Sequence, residues 1–256
     1  DSASERYIFT KLNTLTRMIF PEADDKVLKY LSDDGTPVEP IHYVPILPMI
    51  LINGSKGIGT GFSTDIMSYH PIQIIQYLKN KLKSKENEKD IIQPFYQGFQ
   101  GSIEKVEPQK YLIKGCYEIL NDKKVRITEL PIGVWTDDFK QYLEGLMDVS
   151  ANKGKKKDLV IRDYNDLSTD THVDITITFT NDSIAQLRVK KLDYGCNGLE
   201  KLLKLYTTHS TANMHMFTHE EKLKKYDHIE GIIDDYYDIR YQCYQKRKSY
   251  QVDLLE

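Results

Sequence analysis

Asn53-Gly54-Ser55-Lys56-Gly57-Ile58-Gly59-Thr60-Gly61 places four glycines and one aliphatic side chain in nine residues. Taken alone, such a loop is a tight structural turn with Ile58 tucked inward. It has a second reading, in which glycine on both sides of Ile58 lets the backbone approach a duplex closely while the isoleucine acts as a wedge between base steps. A nucleotide cradle fits poorly: the Walker A pattern needs Lys and then Ser or Thr directly after its last glycine, and no dinucleotide fingerprint following a strand is present.

About fifty residues upstream stands Arg6-Tyr7, within Asp1-Ser2-Ala3-Ser4-Glu5-Arg6-Tyr7-Ile8-Phe9-Thr10. A tyrosine can attack phosphorus, but an ordinary pKa of about 10 keeps the phenol protonated, so it needs a base, a metal or a neighbouring cation. Arg6 is a permanently charged fork suited to phosphate oxygens as negative charge develops on them. On the dipeptide alone, Tyr7 is equally an amphipathic residue at a helix start and Arg6 a surface charge.

The rest of the chain narrows the class. With 256 residues, 40% of them hydrophobic and 29% charged, it has the composition of a globular protein of one large domain or two to three small ones. No apolar run is long enough to span a bilayer and no secretory leader is visible, which with three well-separated cysteines predicts no membrane association and an intracellular, reducing compartment. A net charge of −3 excludes nucleic-acid binding by bulk electrostatics, leaving local patches. Eighteen tyrosines against eight phenylalanines look like a compositional bias, so single surface tyrosines carry little weight.

Periodicity predicts helices over residues 8–19 and 23–31, the second closed by Asp33-Asp34-Gly35, then an irregular apolar support over 43–52 broken by Pro45 and Pro48. A loop over 54–61, a helix over 71–82 and a charged loop over 83–90 follow. Short strands are expected over 101–107, 110–114, 116–120, 124–130 and 172–180. Helices are expected over 136–147, 183–190 and 198–205, with a lysine-rich loop over 150–158. From Asp227, apolar residues at three-four spacing (Ile229, Ile232, Ile233, Tyr236, Ile239, Cys243) predict one long helix that continues past Glu256.

Metal chemistry finds little support. His209, His215 and His219 lack Cys or carboxylate companions at ligand spacing, and there is no Asp-X-Asp. The paired acids, such as Asp24-Asp25 and Asp137-Asp138, do not face one point. Lys153 to Lys157 reads as a solvated run.

The N-terminal ten residues, Val38-Glu39-Pro40, Pro45-Ile46-Leu47-Pro48-Met49, Asn53-Gly54 and Gly57-Ile58-Gly59-Thr60-Gly61 together resemble the breakage-reunion region of eukaryotic-type DNA topoisomerase II (type IIA). The likeness runs on through Ile127-Thr128-Glu129-Leu130-Pro131, Trp135-Thr136 and Leu223-Lys224-Lys225-Tyr226-Asp227. It implies an α+β chain: the tail of a winged-helix domain (1–50), a mixed α/β tower domain (51–206) and the start of a coiled coil (207–256).

The same resemblance implies that Tyr7 is the nucleophile forming a 5′-phosphotyrosine and that Arg6 is its phosphate-binding partner. Gly57, Ile58 and Gly59 would form a loop that intercalates into and bends the duplex. Glu5 stands where Pro or Ala is usual and Phe62 where Trp is usual. Double-stranded DNA, a homodimer and a nuclear location are implied for the whole enzyme. The glutamate and Asp-X-Asp that bind Mg2+, and the module that binds ATP, are expected upstream, so both cofactors would bind outside this chain, which would hold no metal ligands and not cleave DNA alone. The alternative is a noncatalytic DNA-binding or scaffold module of the same fold.

Overall fold

The computed structural model describes residues 4, 6, 11–83, 92–147 and 160–256. Tyr7 and most of the two expected charged loops, 84–90 and 150–158, lie outside the described residues. In chain order the helices are α1 (Thr16–Ile19), α2 (Met49–Asn53), α3 (Pro71–Leu82), α4 (Thr136–Met147), α5 (Ser183–Val189), α6 (Gly198–Leu202) and α7 (Ile229–Leu255). The strands are β1 (Tyr30–Asp33), β2 (Thr36–Pro40), β3 (Ser55–Ile58), β4 (Ser63–Ile66), β5 (Ser102–Glu107), β6 (Lys110–Lys114) and β7 (Cys116–Asn121). They continue with β8 (Lys124–Glu129), β9 (Ile161–Asp166), β10 (Ile175–Phe179), β11 (Tyr206–Ser210), β12 (Met214–Phe217) and β13 (Leu223–Tyr226).

Every ladder among the described strands is antiparallel. The result is a mixed α and β fold of small sheets, divided into two compact units, Asp1–Phe95 with Asn213–Glu256, and Tyr96–Ala212. Among the described residues no helix is long and apolar enough to cross a membrane.

The unit Tyr96–Ala212 holds a four-stranded sheet, order β7-β8-β10-β9, and a three-stranded sheet, order β11-β6-β5. Period-two alternation puts Val125 and Ile127 of β8 on the buried face, directly across from Ile177 and Ile175 of β10. Phe139 and Leu143 of α4, Ile184 of α5 and Leu199 of α6 complete that core. Asn197 starts α6 with a capping box, its side chain accepting from the Glu200 N–H and the Glu200 carboxylate accepting from the Asn197 N–H.

In the other unit, α3 begins where Pro71 fits the first helical position and His70 Nδ1 accepts from the Ile72 N–H at 3.1 Å. Helix α7 buries Ile229, Ile232, Ile233 and Cys243 along one stripe and leaves Val252, Leu254 and Leu255 exposed. Tyr236 on the same helix donates to the Pro45 carbonyl at 2.7 Å, fixing the proline-broken segment against it.

Four expectations are corrected. Of the helix expected over 8–19, residues 8–10 lie outside the described residues and 11–15 are not helical; the Asn13 side chain captures the Leu15 N–H at 2.9 Å, and among the described residues Thr16–Ile19 winds as α1. The helix expected over 23–31 gives way to a 3-10 turn at Glu22–Asp24 and to strand β1. Asp34-Gly35, with φ of 47° and 84°, is the two-residue turn of the β1–β2 hairpin, since two left-handed residues match the twist of the strands. The loop expected over 54–61 contains β3, and the irregular support expected over 43–52 ends in α2.

The deepest polar contact joins sequence-distant parts of this unit. Arg240 Nη1 of α7 donates to Asp24 Oδ2 at 2.6 Å and to the Val44 carbonyl at 2.9 Å, and Arg247 reaches Asp24 Oδ1 at 3.1 Å. The Asp24 and Arg240 side chains are each only 5% exposed. Burial opposes the Arg240 charge, yet the bond to Asp24 and the Tyr244 hydroxyl hold its pKa above the ordinary value. Removing one partner strands a buried charge, so Asp24→Ala is expected to cost about 3–5 kcal/mol in urea unfolding. The double variant Asp24→Leu/Arg240→Met is expected to recover more than half of that loss.

Candidate functional site: a braced hairpin with an exposed isoleucine

The glycine-rich stretch folds as an antiparallel hairpin. Strand β3 pairs with β4 in the register Ser55↔Ile66, Lys56↔Asp65, Gly57↔Thr64 and Ile58↔Ser63. Beyond it the Gly59 N–H donates to the Phe62 carbonyl at 2.8 Å, and Gly61 turns the chain with φ of 84°, a left-handed conformation natural to glycine. Ile58 is therefore the last paired residue before the turn, and it is 94% exposed. Alternation along β3 puts the Lys56 side chain, 84% exposed, on the same face as Ile58, with Asp65 at 3.7 Å as its ion-pair partner.

The two glycines beside Ile58 do different work. A Cβ on Gly57 would meet nothing within 4 Å, whereas one on Gly59 would stand 2.6 Å from the Phe62 ring. Phe62 thus lies over the Gly59 backbone as a roof. Its ring packs edge-to-face with Phe217 at 5.7 Å between centroids and tilts toward His215 at 6.4 Å.

Strand β12 braces the hairpin from the side. The Asp65 N–H donates to the Asn213 carbonyl at 2.9 Å, the Asn213 amide donates to Ser63 Oγ, and His215 Nδ1 lies 3.0 Å from the Ser63 carbonyl. Strand β12 pairs in turn with β13, which is fixed to α7 at Asp235: Lys224 Nζ reaches that carboxylate at 2.7 Å and the Tyr226 hydroxyl at 2.6 Å. Burial works against the Asp235 charge, but the Lys224 and Tyr226 hydrogen bonds outweigh it and hold its pKa below the usual carboxylate value. Burial, together with the bond to Asp235, pushes the Tyr226 phenol up.

Gly57, Ile58 and Gly59 come together at the hairpin tip, while Arg6 is exposed in a turn of the same unit and Tyr7 falls outside the described residues. Lys56, Asn213 and His215 were not legible as parts of this site, and Phe62 only as an aromatic where the resemblance has Trp. Lys56 carried a signal, since it stands two residues before Ile58 and so shares its face in any strand; the contribution of Asn213 and His215, about 150 residues away, left no local trace.

Gly59→Ala is expected to displace the Phe62 roof and cost about 1–2 kcal/mol in thermal unfolding. Gly57→Ala enters open space and is expected to stay within about 0.5 kcal/mol of the parent protein. Equal effects at the two positions would contradict the roofed geometry.

Comparison with known proteins covers the whole chain. Residues 1–256 match the family model for the A-subunits of DNA gyrase/topoisomerase IV. DNA topoisomerase 2 of Pisum sativum is 41% identical over 98% of the chain, and DNA topoisomerase 2-alpha of Homo sapiens is 38% identical over 100% of it. In both cases the chain spans 16% of the relative's length. The crystal structure of the Plasmodium falciparum topoisomerase II DNA-binding, cleavage and re-ligation domain superposes with a TM-score of 0.85 at 36% identity, covering all of this chain and 33% of that one. With a match along its entire length and a solved relative of the same fold, the chain belongs to the DNA gyrase/topoisomerase IV A-subunit family.

Proposed function

We propose that this chain is the part of a type II DNA topoisomerase that supplies the cleaving tyrosine and the duplex-bending wedge. The observation that carries the reading is Ile58, an aliphatic side chain 94% exposed at the tip of a hairpin whose opposite strand is hydrogen-bonded to His215 of β12. Insertion between base steps gives that side chain the apolar surroundings it lacks in water and opens a kink in the duplex. Lys56, on the same face, supplies a cation for the flanking phosphate.

At the bent duplex the Tyr7 phenol oxygen attacks a backbone phosphorus. The phosphorus–oxygen bond to tyrosine forms as the bond to the 3′ oxygen breaks; the phenol proton is given up and the departing 3′ oxygen gains one, leaving a 5′-phosphotyrosine and a 3′ hydroxyl. Arg6 neutralises the charge that builds on the non-bridging oxygens. Because one phosphoester replaces another, the reverse attack reseals the strand without an added energy source.

Among the described residues no group of three or more His, Cys, Asp or Glu is placed to hold a metal ion. We assign the metal and ATP of the whole enzyme to parts beyond this chain. In the whole protein we assign 1–50 to a winged-helix tail, 51–206 to a tower domain and 207–256 to the first part of a coiled coil. Two copies cut opposite strands, and the enzyme works in the nucleus.

Denaturant trapping of the full-length protein on duplex DNA, followed by peptide mapping, is expected to find the 5′ end on Tyr7. Tyr7→Phe is expected to abolish the adduct and supercoil relaxation together. An adduct elsewhere, or relaxation by Tyr7→Phe, would leave only a noncatalytic DNA-binding module.

A further inference from the structure

The hairpin that carries Ile58 is weak by its own construction. Its ladder is four residues long, its turn contains Gly59 and Gly61, and open space surrounds Gly57. An isolated two-stranded hairpin of this kind is marginally stable at best. A wedge that must push between stacked bases needs a stiff mount, because any yielding of the hairpin is subtracted from the work done on the duplex.

We propose that His215 is the positioning residue that stiffens this mount, an inference that rests on the wedge reading of Ile58. His215 Nδ1 lies 3.0 Å from the Ser63 carbonyl and 2.9 Å from Asn213 Oδ1. A main-chain carbonyl can only accept, so Nδ1 carries the ring proton and shares it between the two oxygens. Ser63 is the ladder partner of Ile58. The imidazole therefore grips the backbone directly across from the wedge, at the last pair before the turn.

Three neighbouring contacts act in the same direction. Asn213, the second acceptor on Nδ1, donates its own amide to Ser63 Oγ, so the hydroxyl and the carbonyl of Ser63 are both held from β12 and the residue before it. The Asp65 N–H bonds the Asn213 carbonyl, continuing the grip along β4. The other face of the job falls to Phe62, which roofs Gly59 and tilts toward the His215 ring. His215 thus sits where the polar clamp on Ser63 meets the aromatic roof over the turn, and load on Ile58 passes through it into β12, β13 and the Asp235 anchor on α7.

The chemistry of the grip selects its own rescue. An asparagine side chain places its amide N–H near the position of Nδ1, whereas glutamine places it near Nε2, away from Ser63. Bending of an end-labelled duplex by the full-length protein, followed by energy transfer between the ends, reads the effect. His215→Ala is expected to lower the bent fraction about threefold to tenfold, the worth of one or so net hydrogen bonds. His215→Asn is expected to return to within about twofold of the parent, and His215→Gln to behave like alanine.

A role through the wedge also predicts non-additivity. In an Ile58→Ala background, where no wedge is pushed, His215→Ala is expected to change bending by less than about twofold. Parent-like bending by His215→Ala, failure of His215→Asn to rescue, or an undiminished His215→Ala effect in the Ile58→Ala background would each overturn the inference. Parent-like bending by Ile58→Ala alone would instead overturn the wedge reading on which it rests, so the two failures are distinguishable.

Discussion

Keeping an isoleucine almost wholly in water is the constraint around which this unit is organised. Burying such a side chain is worth roughly 1.5–3 kcal/mol, so a free loop carrying Ile58 would gain by folding it inward. The geometry denies that route. Ile58 ends a strand whose register is fixed by its pairing with Ser63, and the glycines on either side offer no apolar surface to cover it. On the proposed wedge reading, the free energy withheld in this way is available to a side chain that enters a base stack, where it would offset part of the few kcal/mol that unstacking costs.

Holding the tip rigid is a matter of connected supports. The hairpin leans on β12, β12 pairs with β13, and β13 is pinned to α7 through Asp235. Helix α7 is pinned in turn by Asp24, whose carboxylate meets both Arg240 and Arg247, and by the Pro45 carbonyl, which accepts from Tyr236. The first and last of these supports join residues far apart in sequence, Ser63 to His215 and Asp24 to Arg240, so the position of Ile58 depends on the folded unit as a whole. The buried Asp24–Arg240 pair is costly to desolvate and specific in geometry, which suits a contact that sets where a long helix lies.

What could be read from the residues follows physical lines. Helices α3 and α4 were legible because each repeats a regular apolar period from Pro71 and from Thr136, and strands β5 to β8 because they are short runs rich in β-forming residues, the last two separated by Asn121-Asp122. Strand β9 and strands β11 to β13 were not, being short, polar or at sheet edges, where half the pattern faces water. Asp34-Gly35 reads as a helix end yet forms a hairpin turn: the dipeptide signals both, and only the pairing of β1 with β2 decides. At the site, the glycine pattern marked Ile58 but not its supports, since a hydrogen bond from His215 to Ser63 leaves no spacing to find.

The central claim is that Ile58 acts as a wedge, and unstacking is its most direct signature. A duplex carrying 2-aminopurine at the step beside the bend centre reports unstacking as a rise in fluorescence when the full-length protein binds. The account predicts that the rise is seen with the parent protein and lost with Ile58→Ala while DNA is still bound. An undiminished rise with Ile58→Ala would contradict it.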